Sequence, residues 1–144
     1  MIQLRRFTVM ALLLLPIASG CGAGDMAQVH GQVTYAGLPV TSGALIFSPI
    51  PAEEQPQPGK SSTGDIQSDG TFQLSTHRLH DGAFVGPHRV RFMRSMENDD
   101  EKVASATPAA TNYANLTLPD DFVVEVKPGG DNEINLELVK RAPR

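Results

Sequence analysis

Alternation of apolar and polar residues with period two is the main pattern of the chain after residue 28. From Val29 to Tyr35, apolar or small residues occupy every second position and polar residues stand between them. This spacing is typical of a strand with one buried face. The alternation recurs at 71–75, 88–93, 122–126 and 134–138. The pattern therefore predicts an all-β domain and gives no helix.

Shorter signals complete the predicted strand order. The apolar run 44–48 predicts a strand buried on both faces, and 61–67 predicts another strand. Residues 36–39 (AGLP) predict a chain reversal, and Asp69-Gly70 between two such runs predicts a hairpin. Lys127 to Asp131 predicts the last turn. Seven short strands separated by turns predict a seven-stranded antiparallel β-sandwich covering residues 29–139.

Two long loops interrupt this pattern. Residues 49–60 contain four prolines and two glutamates, which exclude a helix or a central strand. Residues 94–121 begin with the acidic run 97–101 and predict a loop that is either functional or disordered. Residues 77–87 also predict a loop, and residues 140–144 predict a frayed tail. The loops 49–60 and 94–121 are the candidate binding surfaces, with simple connectors as the alternative.

The first twenty residues have the layout of a secretory signal peptide. Arg5 and Arg6 precede the apolar run 7–17, and small residues follow at 18–20. A helix of that run is roughly 16 Å long, about half of a hydrocarbon core, so it is too short for a stable span. We therefore expect residues 1–20 to be removed on export.

The lone cysteine, Cys21, follows this signal directly. Residues 18–21 read Ala-Ser-Gly-Cys and resemble the lipobox of bacterial lipoproteins, in which diacylglycerol is attached to the cysteine and cleavage leaves it first in the chain. The resemblance implies that Cys21 is a lipid anchor and that 21–28 is a flexible tether. The alternative is ordinary cleavage, which leaves an unpaired thiol in an oxidising compartment. Gly22, in place of a retaining aspartate, favours the outer membrane within the bacterial cell envelope.

Charge narrows the expected partners. The full chain has 12 basic and 16 acidic residues, and removal of Arg5 and Arg6 leaves a net charge of −6. An acidic exported domain is a poor partner for nucleic acid or anionic lipid headgroups. The expected partners are the membrane, through Cys21, and an envelope protein or glycan.

The order of segments resembles small bacterial lipoproteins with a carboxypeptidase-regulatory-like, or transthyretin-like, domain. The matching pieces are VHGQVTYAGLPVTSGALIFSP, STGDIQSDGTFQL, DGAFVGPHRVRF and LPDDFVVEVKPGGDNEINLEL. The resemblance implies a prealbumin-like, or Ig-like, sandwich of seven strands. The family motif Gly-x-Tyr-x-Val has His88 at the tyrosine position. Such domains serve as binding or accessory modules, so the resemblance implies no activity.

Candidate enzyme chemistry is sparse. His77, His80 and His88, with Asp81, raise the idea of a zinc site, but no HExxH motif is present and a polar loop explains the same residues. A calcium site would use Asp65, Asp69 and the acidic run 97–101. These residues lack the spacing of a hand-type loop, and a solvated acidic face explains the run.

Nucleophilic catalysis has no motif either. The chain has no Gly-x-Ser-x-Gly, and Ser42-Gly43 predicts a turn or bulge. The sequence thus predicts a non-enzymatic, cofactor-free envelope lipoprotein whose sandwich is a protein- or glycan-binding or structural module. The alternative is a metal-dependent hydrolase accessory, or a cryptic enzyme, that uses the loop of His77, His80 and His88.

Overall fold

The computed structural model describes residues 25–51, 59–94 and 113–142. Within these ranges the chain is all-β, built of mostly antiparallel strands, with one short 3-10 helix at Tyr113–Asn115 and no α-helix. The all-β prediction is confirmed, and the arrangement is consistent with a β-sandwich.

Twelve short strands make up this part of the chain. They are β1 Met26–Tyr35, β2 Leu38–Pro39, β3 Ala44–Pro49, β4 Ser62–Asp65, β5 Thr71–Gln73, β6 Ala83–Phe84, β7 Gly86–Met93, β8 Leu116–Thr117, β9 Val123–Val126, β10 Asp131–Glu133, β11 Leu136–Glu137 and β12 Val139–Lys140. Some of these short strands, such as β10, β11 and β12, follow one another within a single stretch of chain. The count of twelve is therefore not directly comparable with the seven strands that the sequence predicts.

Two main sheets organise the strands. In the first sheet β1 is central: β2, β5 and β6 pair with it antiparallel, while β10 and β11 pair with it parallel. The second sheet has the order β4-β3-β7-β9 and is antiparallel throughout. A separate antiparallel pair joins β8 to β12.

The core lies on the inward faces of these strands. Along β1, Ala27, Val29, Gly31 and Val33 are buried and the residues that alternate with them are more exposed, as the alternation predicts. Phe47 and Phe72, from different sheets, meet at a ring distance of 6.1 Å. The largest fully buried side chains are Phe47, Phe72, Leu45, Leu74, Leu136, Leu138 and His88.

The prediction that 44–48 is buried on both faces is wrong. Leu45 and Phe47 are fully buried, whereas Ala44, Ile46 and Ser48 are half-buried. A run of apolar letters does not distinguish a two-sided strand from a one-sided strand whose outer residues happen to be apolar. Here β3 lies between β4 and β7, and its outer face is only partly covered.

The prediction of a wholly antiparallel sandwich is also wrong. Gln28 pairs with Asp131 and Val33 with Leu136 in parallel register, because the chain crosses from β9 in the second sheet to β10 in the first. The buried side chain of Asn132 holds this crossing. Its Oδ1 accepts the N–H of Lys127 at 2.8 Å, and its Nδ2 donates to the carbonyl of Gln28 at 3.3 Å.

The turn at Asp69-Gly70 is present, but it does not close a two-stranded hairpin. The N–H of Gly70 donates to the carbonyl of Gln67 at 2.9 Å, and Gly70 has φ of +84°. However, β4 pairs with β3 and β5 pairs with β1. A single bridge joins Thr63 on β4 to Ser75, two residues after the end of β5. The turn therefore links the two sheets along one corner.

The end of the predicted loop 94–121 and the start of the predicted tail 140–144 are ordered parts of the fold. Leu116 and Leu118 are buried, and the N–H of Arg141 donates to the carbonyl of Asn115 at 2.8 Å. The phenolic oxygen of Tyr113 accepts the N–H of Thr41 at 3.1 Å. Those two predictions are wrong at these residues; residues 95–112 and 52–58 lie outside the described ranges.

Two boundaries also differ from the prediction. The first strand begins at Met26, inside the segment predicted to be a tether, and pairs there with Phe84. The predicted loop 77–87 contains β6, whose residues Ala83 and Phe84 pair with the start of β1. Neither pairing has a local signal, because each depends on a partner strand more than fifty residues away.

Candidate functional site

A groove of about 800 Å³ lies on the outer side of β1, β5 and β4, along the corner where the two sheets meet. We call it the corner groove. Most of its side chains are polar and carry amide, hydroxyl, imidazole or carboxylate groups. Those used below are His30, Gln32, Asp65, Gln73, Glu133 and Asn135.

The register of the first sheet brings these polar residues together. Because Val29 and Val33 point inward, His30 and Gln32 point outward from β1. His30 lies opposite Gln73 on β5 and opposite Glu133 on β10. One row of polar side chains therefore crosses three strands that are far apart in sequence.

Hydrogen bonds orient the amide groups of the corner groove. The side chain of Gln32 donates to the carbonyl of Asp69 at 3.0 Å, and its backbone N–H donates to the Oδ1 of Asn135 at 3.0 Å. The Nδ2 of Asn135 in turn donates to the Oε1 of Glu133 at 3.1 Å. These groups are held in place before any ligand arrives, which lowers the entropic cost of binding.

The formal charges in the corner groove are negative. Asp65 and Glu133 contribute carboxylates, and His30 and His80 contribute imidazoles. The Nδ1 of His30 lies 3.0 Å from the Oδ1 of Asp131, and these two side chains form an exposed pair. Exposed pairs of this kind contribute little to stability, about 0–1 kcal/mol. The groove thus offers both hydrogen-bond donors and acceptors, and its described lining carries two carboxylates and no Lys or Arg.

A tightly bonded loop, residues 76–82, forms one rim of the corner groove. The carboxylate of Asp81 accepts three backbone N–H groups, from Thr76 at 2.6 Å, His77 at 2.9 Å and Arg78 at 2.8 Å. Partial burial acts to raise the pKa of Asp81, but these hydrogen bonds outweigh it and hold the pKa below its ordinary value.

This loop presents two side chains to the groove. Leu79 is 80% exposed, and His80 has φ of +57°, a conformation that few residues with a Cβ adopt. The N–H of His80 donates to the Oγ of Ser75 at 2.8 Å, which fixes this backbone conformation. An exposed leucine beside a constrained histidine on a rigid loop is a suitable contact point for a ligand.

The structure does not gather the three candidate zinc ligands. His77 is exposed and its ring meets the edge of Phe84 at 5.8 Å, while His80 lines the corner groove. His88 is fully buried on β7, with its ring 6.3 Å from that of Phe47. Among the described residues no group of three or more His, Cys, Asp and Glu side chains could hold a metal ion.

His88 points inward from β7. Desolvation lowers its pKa below the ordinary value, while the hydrogen bond to the carbonyl of Gly86 acts in the opposite direction. The imidazole is therefore a core group whose burial beside Phe47 favours its neutral form.

The candidate calcium ligands have structural surroundings of their own. The Oδ1 of Asp69 accepts both the hydroxyl of Thr71 at 2.6 Å and its N–H at 2.9 Å, and these bonds lower the pKa of Asp69. Asp65 is exposed on β4 and lines the corner groove.

Gly43, with φ of +122°, accepts the N–H of Ile66 through its carbonyl, consistent with the predicted turn. The acidic run 97–101 and Cys21 lie outside the described residues.

Sequence reasoning missed the corner groove. Gln32, Gln73 and Asn135 are outward-facing polar residues, and such residues occur on every half-exposed strand. The alternation along β1 does place His30 and Gln32 on one outer face. Nothing local shows that β5 and β10 add their polar residues to the same face, because that depends on strand pairing.

Comparison with protein-family models, curated proteins and solved structures gives no match for this chain. No helix in the described ranges is long and apolar enough to cross a membrane.

Proposed function

We propose that this chain is a non-enzymatic, membrane-anchored lipoprotein of the bacterial envelope, whose prealbumin-like sandwich of the carboxypeptidase-regulatory-like kind binds an envelope protein or glycan. The observation that carries the proposal is the corner groove, a large polar concavity whose side chains are already ordered by hydrogen bonds.

The chemistry of the corner groove fits a ligand rich in hydroxyl or amide groups. Amides such as Gln32, Gln73 and Asn135 can both donate and accept hydrogen bonds, and the hydroxyl of Thr71, which donates to Asp69, can still accept one. Sugar hydroxyls and peptide groups need partners of this kind. The volume of about 800 Å³ lies within the range of ligand sites, roughly 300–1,000 Å³.

The anchoring half of the proposal rests on the sequence. The basic, apolar and small-residue segments before Cys21 and the lipobox-like residues 18–21 support lipid attachment there. Because β1 begins at Met26, only residues 22–25 separate the anchor from the first strand. Four residues reach about 11 Å on average, so the domain would stay close to the lipid surface.

The anchor is tested by the mass of the N-terminal peptide from detergent-extracted native protein. A mass increase on Cys21 equal to diacylglycerol, together with a Cys21→Ser chain that is unprocessed or leaves the membrane fraction, supports the proposal. A mature chain that starts elsewhere with a bare thiol contradicts it.

The binding half is tested with isotope-labelled Cys21→Ser chain titrated with solubilised cell-wall glycan fragments and, separately, with crosslinking from the corner groove in intact cells. We expect Gln73→Ala to weaken binding about tenfold, the equivalent of one good hydrogen bond. Gln28→Ala is the matched control, since Gln28 is exposed on β1 but does not line the groove. Equal effects of the two variants, or no saturable binding and no crosslink, would remove the proposal.

A further inference from the structure

A second groove, of about 550 Å³, lies between β7 and residues 117–121. We call it the arginine groove. Three arginines line it, Arg89, Arg91 and Arg141, together with the carboxylates of Asp120 and Asp121. None of these residues belongs to the corner groove, so the inference below is independent of the proposed function.

The fold brings the three arginines together from distant parts of the sequence. Arg89 and Arg91 both point outward from β7, because His88 and Val90 point inward. Residues two apart on a strand lie roughly 7 Å apart on the same face. Arg141 follows β12, whose pairing with β8 and the bond from its own N–H to Asn115 place it at the opposite wall.

The charges of the arginine groove are unevenly paired. Arg89 lies 3.5 Å from the Oδ1 of Asp121, whereas Arg91 and Arg141 form no ion pair with any described carboxylate. Arg94 lines an adjoining concavity that shares Arg141 with the arginine groove. The local balance is therefore positive on a chain whose net charge is −4.

This clustering is marked for so acidic a chain. Eight Lys and Arg residues occur in the described ranges, and four of them, Arg89, Arg91, Arg94 and Arg141, line the arginine groove or its neighbour. The other four are Lys60, Arg78, Lys127 and Lys140. Net charge alone argues against anionic ligands, but a local cluster of cations attracts them regardless of the total.

We propose that the arginine groove binds a phosphate group, carried either by a lipid headgroup or by a soluble or polymer-borne ligand. Guanidinium groups bind phosphate oxygens in a planar, two-pronged geometry, and a tetrahedral phosphate can bond to more than one arginine at once. Arg91 and Arg141 lie on the two walls and can each take one side of the group. The hydroxyl of Thr117 is a further donor in the same groove, and Leu118 and Pro119 form apolar wall for the rest of the ligand.

The test is calorimetric titration of the full Cys21→Ser chain with inorganic pyrophosphate near physiological ionic strength. We expect saturable binding that Arg91→Gln and Arg141→Gln each weaken at least tenfold. Arg78→Gln is the matched control, because Arg78 is exposed but lies on the loop 76–82 outside the arginine groove. Asp121→Asn should tighten binding severalfold, since it removes a negative charge and releases Arg89.

A second arm separates the two sources of phosphate. The same Cys21→Ser chain, which lacks a lipid, is sedimented with vesicles of phosphatidylglycerol and of phosphatidylcholine. Cosedimentation with phosphatidylglycerol that pyrophosphate displaces and Arg91→Gln abolishes assigns the phosphate to a lipid headgroup. Pyrophosphate binding without cosedimentation assigns it to a soluble or polymer-borne ligand. Both results support the phosphate site.

The remaining outcomes overturn the inference. One is a loss of pyrophosphate binding in Arg78→Gln equal to that in Arg91→Gln, which indicates diffuse attraction. The other is the absence of saturable binding both in this chain and in a chain whose acidic run 97–101 is neutralised. Because the acidic run 97–101 follows Arg94 in the chain, the titration is repeated with Glu97, Asp99, Asp100 and Glu101 changed to their amides. Absence of binding in both chains rejects the site.

Discussion

The Nδ1–H of His88 donates a hydrogen bond to the carbonyl oxygen of Gly86, two residues earlier on β7, at 3.0 Å. A carbonyl can only accept, so Nδ1 carries the proton of the neutral ring and Nε2 is bare. Nε2 is buried and has no hydrogen-bond partner among the described residues. A second proton on this ring would place a charge in the core.

The stability of the domain should therefore fall as the pH drops below about 6.5. Since burial lowers the pKa of His88 in the folded chain, the unfolded chain binds the proton first. The stabilisation by the neutral ring is complete above the pKa that His88 has in the unfolded chain. Below that pH the free energy of unfolding declines, by at most about 1.4 kcal/mol per pH unit for one proton. Urea denaturation at pH values from 5 to 7.5 measures this slope.

The variant His88→Leu, which has a similar volume, should remove most of that slope. The control is His77→Gln, in which an exposed histidine is lost and the slope should persist. An unchanged slope in His88→Leu would show that other groups cause the pH dependence. The interval above pH 5 keeps the measurement apart from the titration of Asp69 and Asp81, whose pKa values are lowered from 3.8.

Asp81→Asn should loosen the loop 76–82. The amide replaces one acceptor oxygen by a donor, so either the N–H of Thr76 or the N–H groups of His77 and Arg78 lose their partner. We expect a loss of about 1–3 kcal/mol in the free energy of unfolding and faster cleavage by trypsin after Arg78. Asp65→Asn, the same change at an exposed carboxylate, is the control and should leave both unchanged. Equal tryptic rates in the two variants would contradict the role given to Asp81.

The stability of the loop 76–82 also falls as the pH drops, but in a lower pH range than the effect of His88. Because the pKa of Asp81 is held below 3.8 in the folded chain, its contribution is present above that value. It is lost as the pH falls through the lowered pKa. Trypsin is inactive there, so hydrogen exchange of the Thr76 and His77 amides measures the opening.

Gly31→Ala should prevent normal folding. A Cβ on Gly31 would lie 1.9 Å from the carbonyl oxygen of Ile134, which is backbone and cannot move without breaking the parallel pairing of β1 with β10 and β11. We expect a loss of at least about 3 kcal/mol, or no soluble protein.

Gly130→Ala is the control for this substitution. The nearest atom to its Cβ would be 3.9 Å away, and its φ is not positive. Its free energy of unfolding, measured by thermal denaturation, should match that of the unmodified chain within about 1 kcal/mol, the cost of a small turn change. A stable Gly31→Ala would show that the parallel strands are not packed against β1 as described.

Leu118→Ala tests whether residues after 113 belong to the core. Leu118 is 3% exposed, and removal of a buried leucine side chain costs roughly 2–5 kcal/mol. Leu38→Ala makes the same chemical change at a site that is 70% exposed and should cost less than about 0.5 kcal/mol. Denaturation midpoints of the two variants give the comparison. Similar midpoints would restore the prediction of a loop there.

Local pattern predicted the fold where one buried face repeats along a single segment. The inward residues Val29 and Val33 of β1, and Val124 and Val126 near the end, follow from alternation alone, because side chains on a strand alternate between faces. The turn at Asp69-Gly70 also follows from its residues. The destination of the strand after that turn does not, because both sheets offer an edge with the same hydrogen-bonding groups.

Candidate sites were less predictable than strands. His77, His80 and His88 are close in sequence, but the structure puts one on an exposed loop, one at the corner groove and one in the core. Conversely, Arg91 and Arg141 are fifty residues apart and line one groove. Spacing along the chain predicts proximity only within an element, whereas pairing between strands sets it elsewhere.

By itself the sequence determined the β class, most inward-facing residues and the turn positions, and it predicts the anchor at Cys21. Those properties depend on side-chain alternation, turn chemistry and short motifs, all of which are local. Tertiary structure decided the parallel pairing of β1 with β10 and β11, the burial of Leu118 and the two grooves. Each of these arises from backbone hydrogen bonds and packing between segments far apart in the chain, and such contacts leave no periodic trace in either segment alone.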